Sequence, residues 1–469
     1  MKKIIFVMLL IFSVFSVIFV LPSCSDSEKD GQKAEYVPDL PAVDMKGKAF
    51  RIFTTGWWNY EPLAISDIVK EEIVGEHMND AVFNRQKFVE DKYNIKLEQI
   101  NVDTSEDATG KIIASVQAND GAYDVCLVRN MYFNTLITNR CAADLETIPN
   151  INIDQPWWDS NSYDSFSLLG KHYGICSDIT MNDDTAVWNV SFNKNILQEL
   201  GLESPYNLVK EGKWTYDKVF EMSRAAVKDL NGDGVINSSD RYGMVHLDDS
   251  IVGMVNGIGI NIGEVDKEGK LVFTFEKGDN LSKLINIFTS LYDKNYICNV
   301  HAMEGVDFAQ GRALFAFFGI YLSIDFRNMD DDFGILPYPK YDEKQTEYKS
   351  SVSPLFTTLA IVPTTNLNLN DTGIILEEMA YQGYKNIRPA FYDKLLQGKT
   401  ARDEESSEML EYLFDNVVYD VGAIWNIAGF STEIGSILAH NYDLNIASFI
   451  EARKGLIENN IAEIMEAMQ

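Results

Sequence analysis

The chain has 469 residues, with 40 Lys and Arg against 70 Asp and Glu, and a formal charge of −30. That balance argues against a nucleic-acid partner, because phosphate neutralisation needs clustered cations. Overall disorder is equally disfavoured by 46% hydrophobic and 12% aromatic residues, and the length calls for more than one lobe.

At the N-terminus, Lys2 and Lys3 precede an apolar run from Ile4 to Val20, followed by Leu21-Pro22-Ser23-Cys24. A charged start, an apolar stretch and small residues read as an export signal, and a 17-residue run is borderline for a membrane span. The alternative is an uncleaved N-terminal anchor. Leu21, Ser23 and Cys24 resemble a bacterial lipobox, whose cysteine is diacylated and becomes the mature N-terminus, although Pro22 replaces the small residue usual there. Residues 1–23 therefore read as a lipoprotein signal peptide and 24–48 as a flexible tether. Loss of Lys2 and Lys3 takes the charge from −30 to −32. Two acyl chains hold a protein stably on a membrane. Cys126, Cys141, Cys176 and Cys298 are widely spaced, without a CxxC, and do not form a disulfide scaffold; whether they pair stays open.

Residues 49–53 read as a strand, Met78 to Tyr93 as a helix, Ile95 to Leu97 as a strand, Lys111 to Ala118 as a helix and Tyr123 to Val128 as a buried parallel strand. This alternation implies right-handed crossovers and a parallel sheet. Such sheets bind ligands beyond the carboxyl ends of their strands. Trp57, Trp58 and Asn59 stand there after the first strand, and Arg129 and Asn130 after the third. Ala186 to Phe192 reads as a strand on a crossing into a second lobe, with Asp183 and Asp184 just before it. Thr215 caps a helix from Tyr216 to about Lys228. Leu359 to Pro363 reads as a strand, Asp371 to Tyr384 as a helix, and the chain from Glu408 is helix-rich. The expected body has one lobe in 49–182 and 357–400 and the other in 183–356 and 401–469.

The sharpest chemistry lies in residues 229–240, which match a twelve-residue calcium loop. Asp229, Asn231 and Asp233 supply oxygen at positions one, three and five, and Gly234 permits the turn at six. The Val235 carbonyl serves seven, Asn237 serves nine, and Asp240 closes the site at twelve, where Glu is usual. Hard oxygens at this spacing favour Ca²⁺ over a transition metal. Arg241 to Val245 leaves the loop as a strand, so a lone structural site is expected rather than a paired sensor.

No HExxH, GxSxG, Walker loop or CxxC occurs, and the five His form no cluster. Asp183-Asp184 and Asp248-Asp249 are the carboxylate pairs that a glycan-active enzyme would use, but with 70 acidic residues such pairs arise by chance.

Several segments together resemble the extracellular solute-binding protein family of ABC importers, in its carbohydrate-binding lipoprotein branch (family 1). They are the lipobox; Ser191-Phe192-Asn193-Lys194 with Leu197 and Gly201; Pro205-Tyr206; Gly212-Lys213-Trp214-Thr215; the calcium-type loop with Tyr242-Gly243; Phe308 to Phe315; and Phe333 to Lys340. The resemblance implies an α/β chain with two lobes of the type II periplasmic-binding fold, joined by hinge crossings. It implies a monomer that takes a sugar between the lobes and hands it to an ABC permease, without catalysis. It maps ligand-contacting aromatics onto Phe317-Phe318, Tyr321 and Trp425, and a polar group onto Asp183 and Asp184. Two other readings remain at this point: a secreted glycan-active enzyme using paired carboxylates, and a surface sensor or adhesion protein on the same fold.

Overall fold

In the first third of the chain, strand and helix alternate as the periodicity predicts: β1 (Lys48–Thr55), α1 (His77–Tyr93), β2 (Ile95–Val102), α2 (Ala108–Ala118) and β3 (Val125–Arg129). The computed structural model describes residues 37–55, 66–102, 107–299, 307–396, 404–441 and 443–469. The export signal, Cys24, Trp57, Trp58 and Asn59 lie outside the described residues. The Glu76 carboxylate starts α1 by accepting the Asn79 N–H, and Asn94, left-handed at φ 49°, ends it. Met78, Val82, Arg85, Val89 and Tyr93 form its buried face at helical spacing.

The chain continues through α3 (Asn182–Thr185), β4 (Trp188–Asn193), α4 (Tyr216–Ala226), β5 (Tyr242–His246), α5 (Ser250–Gly257), β6 (Ile297–Asn299), β7 (Ala313–Gly319) and β8 (Phe333–Leu336). It returns by β9 (Ser350–Ser351) to β10 (Thr358–Ile361), α6 (Leu369–Gln382) and α7 (Arg388–Leu396). It finishes on α8 (Glu404–Asp415), β11 (Val417–Val418), α9 (Phe430–Ser436) and α10 (Ile446–Ala467). Thr215 does cap α4, but the helix stops at Ala226, two residues early. Val227 turns extended and Lys228 pairs with Arg241 instead.

Two sheets result. The first has the order β10-β3-β1-β2, with β1 parallel to β2 and β3 and with β10 antiparallel on β3. The second has the order β6-β5-β7-β4-β8, in which β6, β5 and β7 are parallel and β4 runs against β7 and β8. A Cβ on Gly243 would lie 2.1 Å from the Ser223 carbonyl oxygen, so only glycine lets β5 pack so closely on α4.

The chain passes between the sheets through residues 182–187 and 351–357, and β11 runs beside them. Val187 bridges Val352, Ser353 N–H donates to Ala186 O (2.8 Å), and Val352 N–H donates to Val418 O (3.2 Å). Among the described residues no helix is long and apolar enough to cross a membrane.

Candidate functional site: a carboxyl-end cleft

The carboxyl ends of β3, β5 and β7 converge on the returning segment 353–357. Asn130 N–H donates to Thr357 O at 2.8 Å. Tyr321, just past β7, sets its ring 4.8 Å from that of Phe356. Asp248 and Asp249, just past β5, share a cavity of about 270 Å³ with Ser353, Pro354, Leu355 and Ser431. Asn299, from β6, donates its amide to Asp248.

Among the described residues, several polar groups in this region lack a hydrogen-bond partner, Asn130 and Thr55 among them. Asn130 is fully buried, and neither its Nδ2 nor its Oδ1 has a hydrogen-bond partner among the described residues. Thr55 Oγ1, at the end of the neighbouring β1, is likewise unpartnered among them. A buried amide without partners costs about 1–3 kcal/mol, which makes Asn130 a candidate contact for a bound molecule. Arg129 beside it is also fully buried, and burial pulls its guanidinium pKa down.

On the crossing strand, successive side chains point to opposite faces. Trp188 faces Tyr321, at 6.4 Å between rings, and its indole would meet a Cβ on Gly253. Val187 points the other way, into a separate cavity of about 230 Å³ that it lines with Asp159, Asp178, Asp183, Asp184, Arg388 and Tyr419. Trp157 and Trp158 stand in its wall, each donating its indole N–H to Glu377 (3.1 and 2.8 Å).

The sites expected from sequence thus separate. Asn130 and Tyr321 both meet the returning segment 353–357, through Thr357 O and the Phe356 ring, and Arg129 is buried beside Asn130; none of the three lines the 270 Å³ cavity. Asp183 and Asp184 line the opposite cavity. Phe318 is 6% exposed and packs on Phe326 at 6.0 Å between rings, within the larger hydrophobic core. Trp425 is fully buried, 4.9 Å from Phe133, and donates its indole N–H to Ser165 O at 3.3 Å; it is a packing residue, not a cleft wall. Trp157, Trp158, Asp159, Asp178 and Arg388 were not anticipated. A second Trp-Trp pair before an acidic residue was the signal available for them.

In the loop 229–240, Asp229 accepts from Gly232 N–H (2.6 Å) and Gly234 N–H (2.7 Å), both glycines having positive φ (77° and 81°). Asn231 and Asp233 accept from backbone N–H groups two residues on, and Asn237 donates to Val235 O. Asp240 accepts from Leu230 and Asn237 N–H, and these bonds hold its carboxyl below the usual range. The backbone and the all-oxygen donor set suit Ca²⁺. Among the described residues, no three His, Cys, Asp or Glu side chains already gather as a metal cluster.

No family model and no curated protein matches the sequence. Solved structures match the fold. The sugar-binding protein MalE of Xanthomonas citri superposes with a TM-score of 0.60 at 12% identity, over 89% of this chain and 98% of that one. The ABC substrate-binding protein Lmo0181 of Listeria monocytogenes, solved with cycloalternan, gives 0.56 at 13%, over 90% and 99%. The GacH receptor of Streptomyces glaucescens, solved unliganded and with acarbose, gives 0.54 at 14%, over 90% and 97%. The chain therefore has the two-lobed α/β fold of ABC substrate-binding proteins.

Proposed function

We propose that the protein is an extracytoplasmic solute-binding protein that captures a sugar or oligosaccharide at the carboxyl-end cleft and delivers it to an ABC permease. The observation that carries this reading is the buried, unpartnered Asn130 amide at the end of β3, on a fold shared with sugar-binding proteins. A hydroxyl, which both donates and accepts, satisfies such an amide. Asp248 and Asp249 line the cavity there as charged hydrogen-bond partners for sugar hydroxyls, and opening of the cleft would bring the Tyr321 and Phe356 rings to sugar C–H patches. Trp57, Trp58 and Asn59 follow β1 in the sequence and belong to the same proposal. Releasable micromolar binding needs about −8 kcal/mol, within reach of two or three stacked rings and a few charge-assisted bonds.

In this reading Cys24 carries the lipid, residues 24–48 tether a monomeric body, and loop 229–240 holds a structural Ca²⁺ through Asp229, Asn231, Asp233, the Val235 carbonyl, Asn237 and Asp240. The test is to incubate the protein with a mixed oligosaccharide pool and analyse what is released on denaturation. Intact saccharide supports binding and transport. Shortened products favour the glycan-active enzyme, and an empty protein overturns the reading.

A further inference from the structure

The cavity of about 230 Å³ on the far face of the crossing strands shares no lining residue with the cavity at the carboxyl-end cleft. Its walls are fixed from outside. Glu377 anchors both indoles, and Tyr419 donates to Asp159 Oδ2 at 3.0 Å. Asp178 is held through its backbone. Its N–H donates to Trp157 O at 3.1 Å, and a Cβ on Gly383 would lie 1.7 Å from its carbonyl oxygen, so only glycine permits that approach. Arg388 lies against Tyr384 and Tyr392, 6.0 and 5.7 Å from their ring centroids.

Inside this frame a polar group is left over. Asp178 is 7% exposed and lines the cavity, yet its Oδ2 has no hydrogen-bond partner among the described residues. Arg388 Nη1 stands 3.7 Å from it, an ion pair too long for a hydrogen bond. Both groups therefore border open volume with bonding capacity to spare.

The carboxyl chemistry narrows what that capacity suits. Asp159, Asp178, Asp183 and Asp184 meet one guanidinium, so a low-dielectric cavity does not hold all four ionised. Burial raises Asp178 and Asp159 against the pull of Arg388, and burial and then the neighbouring Asp184 raise Asp183. Asp184, raised by burial to about 6, is left at neutral pH as a counter-charge to Arg388. A protonated carboxyl donates as well as accepts, as a hydroxyl does. A cation would have to displace those protons, and an anion would meet carboxyl oxygens. Among the described residues no three side chains gather to hold a metal. Ser160, Asn161 and Ser177 add neutral donors and acceptors to the wall. The volume lies below the roughly 300 Å³ at which drug-sized sites begin, which suits one ring rather than a chain.

We propose that this cavity is a second binding site, separate from the carboxyl-end cleft, for one neutral, hydroxyl-rich ring such as a monosaccharide or a cyclitol. Asp178 Oδ2 and the Arg388 guanidinium take adjacent hydroxyls, and Phe414 and Tyr419 line the C–H face of the ring. The inference goes beyond the solute-binding reading and does not depend on what fills the cleft.

The test is isothermal titration calorimetry of the full chain, with Cys24→Ser to set the lipid aside. The probes are D-glucose, D-galactose, D-mannose and myo-inositol, each used separately at millimolar concentration. At least one is expected to bind saturably, with an affinity that Asn130→Ala leaves unchanged. Asp178→Ala and Arg388→Met are each expected to weaken it tenfold or more while circular dichroism stays native. Should Asp178→Ala fail to fold, Arg388→Met carries the comparison. No saturable binding of any probe overturns the proposal, as does binding that Arg388→Met retains at parent strength or that Asn130→Ala abolishes. Failure of the solute-binding reading appears separately, as no oligosaccharide retained by a chain that still binds the single ring.

Discussion

Tyr419 and Asp159 are 260 positions apart in sequence, yet the phenol donates to the carboxylate at 3.0 Å. The bond ties the segment after β11 to the loop that precedes residues 160–165, so it spans the crossing strands. Removing the hydroxyl leaves a buried carboxyl with one partner fewer. Tyr419→Phe is expected to cost about 1–3 kcal/mol, seen as a lower denaturant midpoint at unchanged slope.

Asn130 predicts an opposite pairing of effects. Its amide is buried and has no hydrogen-bond partner among the described residues, so truncation removes a cost rather than a contact. Asn130→Ala is expected to leave stability unchanged or raise it by about 1 kcal/mol, while saccharide affinity falls roughly tenfold or more. Titration calorimetry and thermal melts on the same preparation check both halves.

The carboxylates of the far cavity predict how stability varies with pH. Asp184 is raised to about 6, so the native state binds its proton more tightly than the unfolded chain does. That stabilisation is complete at acid pH and is lost as pH rises through about 6. Asp184→Asn removes the loss. At pH 8 the variant is expected to be more stable than the parent by roughly 1–2 kcal/mol, after allowance for partial exposure, and near pH 4 to be indistinguishable from it.

Glu377 collects the indole N–H groups of both Trp157 and Trp158 and the Asn152 N–H (3.0 Å), yet burial still raises its carboxyl pKa. Glu377→Ala leaves three donors without an acceptor and is expected to cost about 2–4 kcal/mol. Glu377→Gln, keeping one acceptor oxygen, is expected to cost less. Urea unfolding of the pair orders them.

The proposed calcium site in the 229–240 loop predicts a melting temperature that rises with added Ca²⁺ and falls with a chelator, through selective binding to the native state. Asp229→Ala is expected to abolish that response. It also removes the bonds to Gly232 and Gly234 N–H, so the comparison to make is the change on chelation, not the absolute temperature.

Much of the architecture was legible because local signals and tertiary structure agree. Thr215 caps α4, Gly201 ends the short helix Lys194–Leu200 with φ 62°, and β3 is apolar because both its faces are covered. The strand-end rule likewise places Arg129 and Asn130. What sequence spacing does not encode is which face of the crossing a residue takes. Asp183 and Asp184 were grouped with the cleft, but one-residue alternation through Val187 and Trp188 puts them behind it. Trp425 reads from sequence as a stacking residue because an aromatic side chain serves a core and a sugar face equally well; its full burial, its contact with Phe133 and its indole bond to Ser165 O distinguish the two. Arg388 and Tyr419 reach their cavity through long-range packing that no local pattern announces.

Native mass spectrometry of the chain after exposure to a mixed oligosaccharide pool tests the central claim most directly. The account predicts one intact saccharide per chain, retained by the parent and lost from Asn130→Ala and Tyr321→Ala variants that remain folded. A chain that retains no saccharide, or variants that retain it as the parent does, would contradict a sugar site at the carboxyl-end cleft.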